Sequence, residues 1–347
     1  MTDQNLSQRK ADHIRINLER DVASRATSGL AAWRFGHEAL PEIDLADVDL
    51  SIEFLGRRLR APLLISSMTG GTEEARRINL NLAAAAEKAG IAIGLGSMRA
   101  AIVRPESAPT FQIRDAAPSA MILANVGAVQ FNYGFGVDEC RRLVDLAGAD
   151  ALILHLNPLQ EALQPEGDTN WSGLLRAIEQ VCRTLSAPVV AKEVGWGISE
   201  RAARELASAG VAAIDVAGAG GTSWSQVEMY RARTETQRRV AAAFGDWGLP
   251  TAESVLQARR GAPALPIIAS GGITNGVEGA KCIALGASLF GLARPFLRAA
   301  TESASAVSDE IDVIVGQLRI AMFCVAARNV GDLQRVALSR IAPTDGR

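Results

Sequence analysis

The chain has 347 residues, 48% of them hydrophobic and 21% charged, with a formal net charge of −2. That length supports one large core or two ordinary ones. The near-balanced charge excludes the basic field that nucleic acid or an anionic membrane surface requires, although a few local cations would suffice for a small anionic substrate.

Residues 1–30 form a polar arm carrying Arg9, Lys10 and His13, too polar to pack by itself. The arm gives no signal-peptide pattern. Residues 50–55 and 57–60 read as a small hairpin turning at Gly56, placed to cover one end of a barrel. From Pro62 onward short apolar runs alternate with longer amphipathic ones. Strands are predicted over 63–67, 91–95, 120–125, 151–156, 189–192, 213–216, 267–270 and 289–292, and helices over 74–89, 137–147, 172–185, 200–208 and 277–284. Alternation of this kind implies βαβ units and a parallel sheet buried on both faces. Eight strands favour closure into a (β/α)8 TIM barrel over an open doubly wound sheet, and the first β-to-α turn lacks G-x-G-x-x-G.

The stretch 218–250 is too long for an ordinary loop and is expected to contain a short helix. Residues 311–327 read as the last barrel helix, with Arg319 on its polar side. The organisation is therefore one domain over 1–347: arm and hairpin to residue 60, barrel over 61–330, and a C-terminal tail over 331–347. Cys140, Cys182, Cys282 and Cys324 form no CxxC or Cys/His cluster, and read as buried reduced thiols. No apolar run approaches a membrane span, so a cytoplasmic protein without a membrane partner is expected.

Two small-residue turns follow the seventh and eighth strands, Ser270-Gly271-Gly272-Ile273 and Gly291-Leu292-Ala293-Arg294. In barrels such turns, with the helix starts behind them, commonly hold a phosphate, which points to a cofactor such as FMN; the plainer alternative is ordinary turn geometry. Lys192 ends the fifth strand and should point into the site, because an apolar barrel core cannot solvate it. Beside a flavin it would stabilise negative charge near N1 of the reduced ring; otherwise it is a solvated lysine just past the strand. The fourth strand runs into His155-Leu156-Asn157-Pro158-Leu159-Gln160-Glu161. His155 alone could be structural. Asn157 and Gln160 add neutral donors, and Glu161 adds a carboxylate of the kind that Mg²⁺ takes together with substrate phosphate oxygens. The polar loop 164–171 could fold over a ligand. Ser97-Met98-Arg99, after the second strand, suits a di-anionic head group.

These residues resemble one family throughout the chain. Arg9-Lys10-Ala11-Asp12-His13, Met68-Thr69-Gly70-Gly71, Gly96-Ser97-Met98-Arg99, Asn125-Val126-Gly127, the block from His155 to Glu161, Lys192-Glu193, Gly220-Gly221-Thr222, Asp246-Trp247-Gly248-Leu249-Pro250-Thr251 and Ser270-Gly271-Gly272 look like the signature blocks of type 2 isopentenyl-diphosphate isomerases. The Leu-Asn-Pro-Leu-Gln-Glu block and the arm are specific to that family, whereas the Gly-Gly blocks are shared with other FMN barrels. Met98 departs from the pattern, standing where Gln is also expected, and Leu292 beside Ala293 matches loosely.

The resemblance implies isomerisation of isopentenyl to dimethylallyl diphosphate, with reduced FMN, NADPH as its reductant, and Mg²⁺ on a small-molecule diphosphate substrate. It also implies a homo-oligomer. Carried over residue by residue, Met68, Thr69, Ser97, Asn125, Lys192, Thr222, Gly271, Gly272, Leu292 and Ala293 would surround FMN. Arg9, Lys10, His13, Ser97, Arg99, His155, Asn157 and Gln160 would hold the substrate, and Glu161 the metal. Moving a double bond adds one proton and removes another, and N5 of the reduced flavin is the best candidate for that work. Gln160 and His155 are the candidate catalytic side chains; Gln160 has no acid proton and would orient the alkene or a water.

A 2-hydroxy acid oxidase on the same barrel is the main rival. It needs a histidine base late in the barrel, and none occurs after His155. A non-catalytic flavin-binding barrel would leave the polar block from His155 to Glu161 without purpose.

Overall fold

The computed structural model describes residues 12, 13, 15–17 and 19–341, so Arg9 and Lys10 lie outside the described residues. Eight parallel strands close into a barrel: β1 (Leu63–Ile65), β2 (Ala92–Gly94), β3 (Ile122–Gly127), β4 (Ala151–Leu156), β5 (Val189–Glu193), β6 (Ala213–Asp215), β7 (Ile267–Ser270) and β8 (Leu289–Leu292). Phe290 opposite Leu63 makes the closing register. The predicted (β/α)8 barrel is the fold observed.

Period-2 alternation sorts each strand between two apolar environments. Leu64, Ala92, Leu123, Ile153, Val190, Ala213, Ile268 and Leu289 fill the barrel interior. Their neighbours Leu63, Ile65, Ile93, Ile122 and Ile214 face the helical layer. The hairpin pairs Ile52–Phe54 with Arg57–Leu59, and Phe54 and Leu59 join the interior cluster, plugging the barrel as expected. Its turn requires positive φ at Leu55 (47°) and Gly56 (79°), the conformation of a tight two-residue hairpin loop.

The helices covering the barrel include α1 (Glu73–Ala89), α2 (Arg99–Val103), α3 (Val137–Ala147), α4 (Pro158–Leu163), α5 (Leu174–Thr184) and α6 (Glu200–Ser208). The capping of α1 shows why its ends fall where they do. The Thr72 hydroxyl accepts from the Ala75 N–H, Glu73 and Glu74 face the positive end, and Gly90 closes the last turn in the left-handed region.

The expected short helix in 218–250 is in fact two, α7 (Trp224–Arg231) and α8 (Glu235–Ala242), followed by α9 (Thr251–Gly261), α10 (Gly276–Ala284) and α11 (Arg294–Glu302). The last long helix, α12 (Ala304–Phe323), begins well before residue 311. Its first turn is Ala and Ser, which carry little periodic signal, but the Ser303 side chain caps it at the Ala306 N–H. Arg319 donates to the Val48 carbonyl rather than standing free on a polar side. Within the predicted tail, Leu338–Arg340 pairs antiparallel with Trp33–Phe35.

The arm packs from its described residues onward. Ile16 and Val22 bury against Val227 and Trp224, and Ala23 bridges Thr222. Cys140 and Cys282 are buried, whereas Cys182 and Cys324 are only partly covered. Burial pushes the Cys140 thiol up to about 12, which keeps it unreactive. Among the described residues no helix is long and apolar enough to cross a membrane.

Candidate active site

The C-terminal ends of the strands open into a cavity of about 620 Å³. A smaller depression of about 400 Å³ beside Arg259 and Gly286 lies at the opposite end, where the Arg259 guanidinium is already spent on the Pro263, Leu265 and Gly286 carbonyls. The chemistry-bearing groups face the first cavity. Met68, Thr69, Ser97, Asn125, Lys192, Thr222, Gly271, Gly272, Leu292 and Ala293 all line it, as do His13, His155, Asn157, Gln160 and Glu161. Arg99 does not; its guanidinium lies on Asp168.

One side of the cavity has the form of a phosphate cradle. Gly271 and Gly272 hold φ at 102° and 68°, and a Cβ on either would come within 2.0 Å of the Gly218 carbonyl oxygen or 2.4 Å of the Gly220 carbonyl carbon. Only glycine fits both positions. Beside them α11 starts at Arg294 with no side-chain cap from Ala293, and Ala293, Arg294 and Arg298 line the wall there. Lys192 is 8% exposed and its Nζ donates to the Glu193 carbonyl at 2.6 Å. The Ser66 and Ser67 hydroxyls, on the same wall, have no hydrogen-bond partner among the described residues. A glycine cradle, an open helix start, a buried cation and unsatisfied hydroxyls fit a phosphate-bearing ring that accepts hydrogen bonds, as FMN does.

The Glu193 side chain turns back to brace the same wall. Its Oε2 accepts from the N–H groups of Val194, Gly195 and Trp196 at 2.6, 2.7 and 2.6 Å. Burial pushes this carboxyl up to about 7 against the pull of those three donors. Asp215, at the end of β6 and opposite Lys192 in register, is fully buried and takes the Ser270 hydroxyl at 2.6 Å. Burial raises it too, opposed by the Lys192 charge.

The other side is a polar network built on the β4 end and α4. Asn125 Oδ1 lies 2.8 Å from His155 Nδ1, which fixes the orientation of the ring. Asn157 Nδ2 donates to Gln160 Oε1 at 3.1 Å and to Glu161 Oε1 at 2.9 Å. Gln160 Nε2 donates onward to Glu228 Oε1 at 3.3 Å. Glu228 also meets His13 Nε2 at 3.2 Å and Arg231 at 2.6 Å, and His13 stands edge-on to Trp224 with centroids 5.0 Å apart. Burial works to raise the Glu228 carboxyl, but His13 and Arg231 outweigh it and hold the group below its ordinary value.

Sequence reasoning missed Glu228, Asp215 and Gln130, and reached Asp168 only as part of the polar loop 164–171. The unusual length of 218–250 hinted at Glu228. The test applied to Lys192, a charge ending an apolar strand, would also have found Asp215. Among the described residues no group of three or more His, Cys, Asp or Glu could hold a metal by itself, so Glu161 is a single carboxylate at the wall.

A barrel with this cradle at its mouth is the arrangement of flavin enzymes, and the sequence model of the FMN-dependent dehydrogenase family matches residues 2–114 and 155–340. The fold is shared with mandelate oxidase: the structure with (S)-2-phenylpropionate superposes with a TM-score of 0.68 at 19% identity, covering 97% of this chain and 98% of that one. Within the flavin class the relation is narrower. The isopentenyl-diphosphate delta-isomerase of a Nostoc species is 55% identical over 94% of this chain and 93% of its own. Those of Rickettsia bellii and a Synechococcus species are 52% and 54% identical, covering 95% and 96% of this chain and 96% and 97% of theirs. The chain belongs to the isopentenyl-diphosphate delta-isomerase family.

Proposed function

We propose that this protein interconverts isopentenyl and dimethylallyl diphosphate in the cytoplasm as a homo-oligomer, with FMN in the glycine cradle, NADPH as reductant and Mg²⁺ on the substrate diphosphate. The observation that carries the reading is the fixed Gln160 carboxamide at the cavity wall, held by Asn157 at one end and Glu228 at the other. Reduced FMN, when bound, supplies the acid and base at N5 that a redox-neutral double-bond shift requires.

The chain's own residues supply the rest. Lys192 brings a buried positive charge to the wall that would favour an anionic reduced ring. Both ends of the Gln160 amide are engaged, so its plane is set, and it orients an alkene or water without giving up a proton. His155, its ring held against Asn125 through Nδ1, would meet the substrate from the same wall. Glu161 would take Mg²⁺ beside the diphosphate, since a bare carboxylate next to that anion costs energy. Arg99 would add a cation for the diphosphate, and the family resemblance assigns the same task to Arg9 and Lys10.

Turnover of isopentenyl diphosphate by the purified FMN-loaded protein, with and without dithionite, tests this. Dimethylallyl diphosphate should appear only with reduced flavin, and no reductant should be consumed stoichiometrically. Full-rate turnover by air-oxidised enzyme would sink the flavin's chemical role. The 2-hydroxy acid oxidase reading fares worse, because no histidine follows His155 to act as its base.

A further inference from the structure

The anionic end of the site, as read above, has its two key groups on different elements. Arg99 opens α2 after β2, and Glu161 sits in the first turn of α4 after β4. Both groups converge on one residue of the loop that follows α4. Asp168 Oδ2 accepts from Arg99 Nη1 at 2.6 Å and from Gln130 Nε2 at 2.9 Å. The Asp168 backbone N–H donates to Glu161 Oε2 at 2.8 Å, and its carbonyl accepts from the Trp171 indole at 3.2 Å.

From this convergence we infer that Asp168 is the positioning residue that assembles the diphosphate end, aiming Arg99 with its side chain and Glu161 with its backbone.

The surroundings support a built junction. Gln130 is 3% exposed, on the turn after β3, so a third element is drawn into the same carboxylate. The Arg99–Asp168 pair is sheltered, with side chains 22% and 13% exposed, where a charge-assisted bond is stronger than on an open surface. The loop reaches this position by passing hard against α4: a Cβ on Gly167 would fall 1.7 Å from the Glu161 carbonyl oxygen. Glycine before Asp168 is what lets one residue bond both Arg99 and Glu161.

A guanidinium left without Asp168 keeps its charge but loses its direction, and direction is what a fork-shaped donor needs to meet a phosphate. A competing role exists, in which Asp168 merely occupies Arg99 and repels an incoming anion. The two roles predict opposite signs. Because the inference rests on reading Arg99 and Glu161 as diphosphate and metal groups, the probe is inorganic pyrophosphate with Mg²⁺, titrated calorimetrically into the FMN-loaded protein.

The native protein should bind Mg²⁺–pyrophosphate; failure there would overturn the functional reading and this inference with it. Given native binding, Asp168→Ala should weaken it by about tenfold or more, and raise KM for isopentenyl diphosphate while leaving FMN loading and kcat nearly unchanged. Asp168→Asn, which keeps an oxygen for Arg99 and Gln130, should stay within about threefold of native. Asp168→Ser serves in place of Ala if that variant does not accumulate in FMN-loaded form, with the same loss expected. Affinity within twofold of native in the Ala or Ser variant, tighter binding in any of the three, or a kcat collapse at unchanged KM would each overturn the positioning role.

Discussion

Removing the Glu193 carboxylate tests whether the β5 end is a braced wall or a passive turn. In Glu193→Ala three backbone N–H groups, at Val194, Gly195 and Trp196, lose the Oε2 oxygen that accepts from all of them. Each buried unsatisfied donor costs about 1–3 kcal/mol, and all three together would consume much of the roughly 5–15 kcal/mol that stabilises a domain. The loop should therefore move to recover water or other acceptors, leaving a net loss of about 2–4 kcal/mol. Val194 and Gly195 line the cavity and the Glu193 carbonyl holds Lys192 Nζ, so that movement must reach the cofactor wall. The expected result is an FMN dissociation constant raised at least tenfold, with the barrel's far-ultraviolet dichroism retained. The pH dependence carries an independent sign. Burial raises the carboxyl from 4.5 to about 7, so the native state holds this proton more tightly than the unfolded chain. Its contribution to stability is full below about 4.5 and is lost as pH rises through about 7. Glu193→Gln should flatten that part of the melting-temperature profile. Unchanged FMN affinity and unchanged melting in Glu193→Ala would refute the brace.

Glu161→Gln should lower apparent Mg²⁺ and substrate affinity together, with partial rescue by excess Mg²⁺; it also sets an amide donor against the Asn157 or Asp168 donor, costing about 1–3 kcal/mol of stability. A kcat defect that no Mg²⁺ concentration repairs would reassign Glu161 as an acid. Gly271→Ala places a Cβ 2.0 Å from the Gly218 carbonyl at φ 102°, so the purified variant should lose its yellow colour and FMN titration signal, and retention of FMN at native affinity would count against the cradle. Glu228, held below its ordinary value, contributes stability above its unfolded value that is lost as pH falls through its folded value; Glu228→Gln should remove that acid-side slope in melting temperature, and an unaltered slope would show that other groups carry it.

How much of this was legible beforehand follows from which interactions are local. Strands β4, β7 and β8 fall on their predicted bounds because short apolar runs flanked by glycine or polar residues encode both burial and termination in adjacent positions. Lys192 and the Gly271–Gly272 turn were readable for the same reason: an ammonium ending an apolar strand and a double glycine after another are anomalies visible without a neighbour. The start of α12 was not, since Ala and Ser mark no face and the Ser303 cap declares itself only in three dimensions. Nor was the arm, whose Ile16 and Val22 look too sparse to pack until Val227 and Trp224 arrive from more than two hundred residues away. The catalytic-looking block shows the division most clearly. Asn157, Gln160 and Glu161 lie within one helical turn, so their spacing already places them on one wall. Gln160 finds Glu228 on α7, which in turn meets His13 of the arm, and only barrel closure brings those in. Asp168 lies just seven residues beyond Glu161, but its bonds to Arg99 and Gln130 also need the closed barrel. Sequence could thus name groups that line the cavity, whereas most of the hydrogen-bond partners that hold them arrive only with the closed barrel; that is why the sharpest remaining tests fall on Glu193, Glu228 and Asp168 rather than on the motif itself.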